Sequence, residues 1–362
     1  MKSRYPCLEV NLFKLRENIT IVKNMCDKNG IKLAGVIKGF SGFAEAAKMY
    51  EDAGVDFIAS SRLEQLEQVK AGGVKTPCMC IRIAMLSELE RLVHAAEYSL
   101  QSEIEVLKAL DKAAGRKGTI HNVILMVECG DLREGFWSEE ELVEAALLVE
   151  NDLPNLYLAG VGVNVGCYGS VNATNAKLQE FVDKAELVEK AIGRKLDILS
   201  GGGTSSLPRI LDGDMPERVN MLRVGEGIAF GKDMPDYYFY DIEGINKDVF
   251  ILKAEVVEVK RKPTHPIGEL VVDAFGNKPV YEDRGIRNRA LVAIGRVDYG
   301  DPFDIEPVEE GIKVLGASSD HTILDIEDAG REIKVGDVIE FGIRYSSSVY
   351  LTNSPNVRYV FY

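Results

Sequence analysis

From about residue 30 to residue 230 the chain alternates between short apolar runs and longer segments of helical spacing. The runs fall at 33–37, 56–60 (DFIAS), 77–82, 98–101, 123–127 (VILMV), 156–165, 196–199 and 221–224. Between them, 61–71, 86–95, 103–114, 139–150 and 173–192 repeat apolar residues with the period of a helix. A strict strand-then-helix order requires parallel strands joined by right-handed crossovers. Eight such units in roughly 200 residues is the arithmetic of a closed (β/α)8 barrel of the TIM type. No G-x-G-x-x-G follows an early run, so a doubly wound dinucleotide-binding sheet has no support.

The pattern changes after Asp236. The run DYYFYDIEG is aromatic and loop-like, and from Val249 onward short β-branched segments alternate with Gly, Pro and Asp clusters. ILKAEVVEVK, ELVVDA, ALVAIGR, IKVLGAS, HTILDI, DVIEFGI and SVYLT read as about seven strands of an all-β domain. The boundary is expected near residue 235, giving a barrel over 1–235 and a C-terminal β domain over 236–362. No low-complexity linker separates them.

Composition narrows the class of partner. The chain has 362 residues, 46% hydrophobic and 28% charged, which is ordinary for a globular protein. A formal net charge of -14 argues against nucleic acid and anionic membrane as partners. The opening MKSRYPCLEVNLFKL lacks the apolar core of a signal peptide. No stretch approaches the roughly 18 uninterrupted apolar residues of a membrane helix, so a cytoplasmic protein is expected. Cys7, Cys26, Cys78, Cys80, Cys129 and Cys167 are scattered and read as buried free thiols of a reducing compartment. Neither they nor His94, His121, His265 and His321 show metal-ligand spacing.

In a barrel of this kind chemistry sits at the carboxyl ends of the strands. Lys38 ends the first run, between Ile37 and Gly39. It is either a strand-ending side chain that snorkels into water or a partly desolvated amine with a lowered pKa, able to form a Schiff base. Asp131 and Arg133 follow the fifth run and Asn164 ends the sixth. Ser200-Gly201-Gly202-Gly203-Thr204-Ser205-Ser206 follows the seventh. Arg223 lies on the eighth, ahead of Gly225-Glu226-Gly227. Three glycines let backbone N–H groups approach an anion, and Thr204, Ser205 and Ser206 add hydroxyls at a helix start, which is the makeup of a phosphate cradle. A plain turn is the alternative. A Schiff-base lysine, a phosphate cradle and an arginine in one ring suggest pyridoxal 5′-phosphate (PLP). An arginine, permanently charged, would keep the pyridine nitrogen unprotonated and favour quick return of a proton over side reactions.

The chain resembles the alanine racemase family of fold type III PLP enzymes over essentially its full length. The resemblance is carried by Val36-Ile37-Lys38, by Val127-Glu128-Cys129-Gly130-Asp131-Leu132-Arg133-Glu134-Gly135, and by Arg223 with Gly225. It implies an amino-acid racemase with PLP on Lys38, the pyridine on Arg223 and the phosphate near Asn164, Thr204, Ser205, Gly225 and Tyr345. Arg133 would lie beside cofactor and substrate. It further implies a homodimer with shared active sites. The departures are specific. The family's phosphate-holding tyrosine falls on Gly42, and its catalytic tyrosine, in an I-G-Y stretch, falls on Arg296 of Ile294-Gly295-Arg296-Val297-Asp298-Tyr299. Gly316-Ala317-Ser318-Ser319-Asp320-His321 replaces a stretch that handles the substrate carboxylate.

With SGGGTSS, these variants are similar to the ornithine racemase branch, which implies a basic diamino acid as substrate. Asp131, Asp320 and Asp298 are carboxylates that could pair with its distal ammonium. Inversion needs a second acid/base group opposite Lys38. His321 is the first candidate, since histidine as a type titrates near neutral pH, and Tyr299 the second. Both would come from the other subunit. Arg296, Asp320, Asp131 and Arg133 are the expected substrate contacts. A broad-specificity or alanine racemase and a non-catalytic PLP-binding protein remain as alternatives. A decarboxylase of this fold relies on a C-terminal cysteine and a D-amino-acid aldolase on a His/Cys metal pair, and no cysteine follows Cys167.

Overall fold

The computed structural model describes residues 4–278 and 280–362. After a first strand, β1 (Cys7–Val10), eight parallel strands close into a barrel: β2 (Lys32–Val36), β3 (Phe57–Ser60), β4 (Cys78–Cys80), β5 (Tyr98–Gln101), β6 (His121–Val127), β7 (Leu156–Val163), β8 (Ile198–Ser200) and β9 (Met221–Val224). Each coincides with one of the eight apolar runs to within two residues at either end. β9 closes the ring by pairing with β2, with Ala34 opposite Arg223.

A strand turns alternate residues to alternate faces, and this selects the barrel interior. Ala34, Val36, Phe57, Ala59, Ile124 and Met126, together with Met79, Leu100, Ala159, Ile198 and Met221, form one buried cluster. The other face meets the surrounding helices. There Gly35 leaves space for the fully buried Tyr50, whose ring a Cβ would approach to 2.3 Å. β7 carries a bulge: Val123 pairs with Leu158 and Ile124 with Gly160, so Ala159 has no opposite number. Gly160 then runs against β8 so closely that a Cβ would lie 1.9 Å from the Ile198 carbonyl oxygen.

The second unit is an antiparallel sheet. Its strands are β10 (Phe250–Pro263), β11 (Ile286–Val292), β12 (Ile305–Pro307), β13 (Lys313–Ala317), β14 (Thr322–Asp325), β15 (Val338–Ile343) and β16 (Arg358–Phe361). Their order is β12-β15-β10-β11-β14-β13, and β1 joins antiparallel to β10 and parallel to β16. The chain up to Phe13 therefore belongs with Lys247–Tyr362, and the barrel unit is Lys14–Asn246. This differs from the expected division at 235 in two ways. The opening strand lies in the β unit, and the stretch after Asp236 stays with the barrel. Asn18 holds that stretch: its Nδ2 donates to the carbonyls of Ile228 (2.9 Å) and Asn246 (2.8 Å), and its Oδ1 accepts from the Asn246 N–H.

Two expected strands are absent. SVYLT lies in a helix, Tyr345–Leu351, because Ser347, Ser348 and Leu351 bury one helical face. ELVVDA forms no strand, its Asp273 closing a local turn with Asn277 instead, and Leu270, Val271 and Val272 are exposed. β12 and β16 take their places in the sheet. No described helix is long and apolar enough to cross a membrane.

Because the obstacle at Gly160 is a neighbouring backbone, no side-chain movement can make room for a methyl group. Gly160→Ala is expected to destabilise the protein by about 3 kcal/mol, read as a fall in the midpoint of chemical denaturation.

Candidate active site

β2 is buried apart from its first residue, and Ile37 beyond it is fully buried. The chain thus reaches Lys38 from inside the barrel wall and turns at once into a 3₁₀ turn, Lys38–Phe40. The Lys38 side chain is half-buried. Burial is the main reason its pKa lies below the ordinary lysine value. Cys167 and Glu134 act to raise it, and the charges of Arg133 and Arg223 to lower it. Gly42 follows with φ +67°, and a Cβ there would lie 2.7 Å from Gln65 Cβ. A side chain at that position would be strained in its backbone and crowded by Gln65.

Arg223 sits two residues after Met221 on β9 and so shares its inward face. It is 7% exposed. Its Nη1 donates to Ser200 Oγ and its Nη2 to the Val163 carbonyl oxygen at 3.0 Å, the last residues of β8 and β7. Burial brings its pKa down to about 10, with Glu134 acting to raise it and Arg133 to lower it. At neutral pH it remains a cation.

The glycine run crosses the same mouth. Gly201 N–H bonds the Met221 carbonyl oxygen (3.0 Å), and Arg223 N–H bonds the Gly202 carbonyl oxygen (2.9 Å). Gly202 has φ +106°, and a Cβ on Gly203 would come within 2.9 Å of the Arg223 carbonyl oxygen, so both positions require glycine. Ser205 Oγ donates to the Val165 carbonyl oxygen and Ser206 Oγ to that of Gly201, each at 2.7 Å. Those two hydroxyls fold the turn. Thr204 Oγ1 accepts the Gly227 N–H at 3.2 Å and ties the two glycine turns together, which leaves its own O–H as a donor. The N–H groups of Thr204 and Ser205 open the 3₁₀ turn Thr204–Ser206 and have no helical acceptor by position. A Cβ on Gly225 would lie 3.2 Å from Val36 Cβ, two residues before Lys38. The amine and the glycine nest therefore share one end of the barrel. Asn164, just past the end of β7, has a buried Nδ2 with no hydrogen-bond partner among the described residues. A buried orphan donor, a left-handed glycine and unengaged N–H groups around a depressed lysine and a buried guanidinium fit a cofactor with an anionic tail and a carbonyl head.

The loop after β6 is held at both ends. The Phe136 N–H bonds the Met126 carbonyl oxygen (2.8 Å) and the Glu128 N–H bonds that of Phe136 (3.1 Å). The Glu128 carboxylate accepts the N–H groups of Gly130 and Arg133. Asp131 is not a substrate contact. It is fully buried, and its carboxylate accepts the N–H groups of Gly166 (3.1 Å), Cys167 (3.3 Å) and Tyr168 (3.1 Å), fastening this loop to the one after β7. Arg133 forms a two-pronged pair with Glu134 and directs Nη1 at Cys167 Sγ (2.9 Å). Cys167 is exposed, unlike the other five cysteines.

The remaining candidates lie in the β unit. Tyr299 is fully buried. Thr322 Oγ1 spends its hydrogen on the Ile294 carbonyl oxygen at 2.8 Å, so the Tyr299 hydroxyl donates to Thr322 Oγ1. Burial pushes its pKa up to about 12. A side chain sealed and bonded in this way does not reach a substrate. Asp298 is likewise buried, accepting from Ser354 Oγ (2.6 Å) and Asn356 Nδ2 (3.0 Å). Asp320 and His321 are exposed on the turn between β13 and β14. Arg296 is half-buried with its guanidinium 3.9 Å from the centroid of the Phe275 ring, and Tyr345 is half-buried at the start of its helix.

Sequence reasoning passed over Ser200, Glu134, Cys167 and Glu226. Ser200 was legible as an inward residue two after Ile198; the others depend on loop geometry. Glu226 lies between the two glycines of the cradle and is 8% exposed. Its Oε1 accepts the N–H groups of Lys232 (2.9 Å) and Asp233 (3.0 Å), while Oε2 is buried without a partner. Burial, with the charge of Asp233, raises its pKa from 4.5 to about 7. The native state thus keeps a proton that the unfolded chain loses, and stability falls as pH rises through that interval. Glu226→Gln, neutral throughout, is expected to match wild type near pH 5. It should exceed it at about pH 8 by up to about 3 kcal/mol, measured by denaturant titration at the two pH values.

Residues 10–233 match the family model for the N-terminal domain of alanine racemase. The chain is 43% identical to the ornithine racemase of Acetoanaerobium sticklandii, over 95% of this chain and 96% of that one. It is 37% identical to the lysine racemase of Thermotoga maritima, over 99% and 98% of the two chains. Among solved structures, an alanine racemase of Clostridium difficile superposes with a TM-score of 0.73 over 100% of this chain and 97% of that one. At 22% identity that likeness speaks for the fold alone.

Proposed function

The chain belongs to the alanine racemase family, and on that footing we propose that it is a racemase of ornithine, or of the closely related lysine, with PLP as cofactor. The observation that carries the chemistry is a half-buried lysine with a depressed pKa at a barrel mouth shared with a buried guanidinium and a glycine nest. The choice of a diamino acid is supported by the relatives of 43% and 37% identity, whose names specify ornithine and lysine.

Lys38 would hold the cofactor through its amine, Arg223 would meet the pyridine nitrogen, and Asn164, Thr204, Ser205, Gly225 and Tyr345 would receive the phosphate. Bound there, PLP supplies an electron sink that acidifies the substrate α-C–H. Lys38 takes and returns the proton on one face; burial favours its neutral, basic form. Arg223 carries a fixed charge whose hydrogen bonds to Ser200 and Val163 keep it from turning away. Arg133, with Arg296 and Asp320 in the expected substrate set, would orient the amino acid.

Since Tyr299 is sealed, we assign the opposite-face proton to His321. A homodimer with shared sites is proposed on the family resemblance, the partner's His321 completing the site. A cytoplasmic location is supported by cysteines that are all unpaired.

The PLP-loaded protein is expected to abolish the optical rotation of an L-ornithine solution with time. Lys38→Ala should slow this by about a thousandfold, the scale of a lost general base. Racemisation by Lys38→Ala at the wild-type rate would sink the mechanism. Retention of PLP without any loss of rotation by wild type would favour a non-catalytic carrier.

A further inference from the structure

We propose that Glu134 selects the substrate, its carboxylate receiving the side-chain ammonium of the diamino acid. This rests on the reading that the site accepts ornithine or lysine. An ammonium carried into a half-buried pocket has to meet a carboxylate there, because an unpaired buried charge is strongly disfavoured. Asp320 is exposed on a turn of the β unit, and of the described carboxylates on the barrel loops at the mouth three are turned to backbone amides. Asp131 is spent on three backbone N–H groups, and Glu128 on two. Glu226 faces the amides of Lys232 and Asp233.

Glu134 is differently placed. Its side chain is 15% exposed and pairs with the guanidinium of its sequence neighbour, Arg133. It is also the carboxylate whose charge acts on both the Lys38 amine and the Arg223 guanidinium. Its position is fixed from behind. Gly135 has φ +141°, and a Cβ there would meet the Glu128 nitrogen at 2.6 Å and the Val127 carbonyl carbon at 2.8 Å. Phe136 then pairs with the end of β6. The residue just before this clamp cannot drift from the mouth.

The resident Arg133–Glu134 pair has the same two charges, of opposite sense, as the two ends of a diamino acid. A substrate entering between them exchanges one ion pair for two: its α-carboxylate takes Arg133 and its distal ammonium takes Glu134. An amino acid with an apolar side chain exchanges one ion pair for one and leaves Glu134 without a counter-ion. Discrimination then follows from leaving Glu134 unpaired.

The test compares L-ornithine with L-norvaline, which has the same carbon chain and no distal amine, on the PLP-loaded enzyme. Glu134→Gln is expected to lower the ratio of kcat/KM for ornithine to that for norvaline by about ten- to hundredfold. The change should appear in KM and, equally, in calorimetric affinity; racemisation is itself thermoneutral, so the heat reports binding. Glu134→Asp, shorter by one methylene, should keep the preference for a diamino acid and move it toward L-lysine. A wild-type preference for ornithine that survives unchanged in Glu134→Gln overturns the assignment. So does an equal loss on both substrates, which would make Glu134 only a support for Arg133. A wild-type enzyme that does not prefer ornithine to norvaline overturns the substrate reading itself, and the role of Glu134 with it.

Discussion

A guanidinium inside a barrel is the constraint around which this site is arranged. Arg223 is held by a hydroxyl and a backbone carbonyl, neither of which carries charge. Two neutral acceptors satisfy its geometry but leave its field uncompensated, and burial lowers its pKa to about 10 as a result. Lys38 is lowered chiefly by its own burial, with the charges of Arg133 and Arg223 acting in the same direction. Positive charge is thus concentrated at Lys38 and Arg223, with Glu134 acting on both from nearby, which makes that part of the mouth receptive to a phosphate or a carboxylate. The glycine nest adds backbone dipoles of the same sign. An anionic cofactor would offset that charge, whereas a diamino acid, with two ammonium groups and one carboxylate, would need a carboxylate of the site for its distal end.

The architecture was legible because its periods are strong. Eight apolar runs became eight strands, and Lys38 and Arg223 could be placed at strand ends simply by counting. In the β unit short runs are ambiguous. ELVVDA has the composition of a strand, yet its apolar side chains face solvent, whereas SVYLT puts its buried residues at helical spacing. Propensity sees neither difference, because the deciding term is what each segment finds to pack against.

The acidic residues show the same limit at the scale of one side chain. Asp131 and Glu134 are three positions apart on one loop and look equivalent in the sequence. In the fold, one is drawn inward to cap three N–H groups of a second loop, and the other lies against an arginine in the mouth. Tyr299 is a similar case. Three residues beyond the position of the family tyrosine, it is the second candidate by sequence, but its hydroxyl closes a hydrogen-bond chain to Thr322 and Ile294. Spacing places a residue on an element; only the partners it finds there decide whether its polar group is spent or available.

The opening strand carries a consequence for synthesis. β1 lies between β10 and β16, so its ladder is complete only after the whole barrel unit, Lys14–Asn246, has been synthesised. The barrel, contained in Lys14–Asn246, has all its strands well before then. Nascent chains thus pass through a stage in which every barrel strand has been made while β1 still lacks its partners, and chaperone capture would be concentrated in that interval.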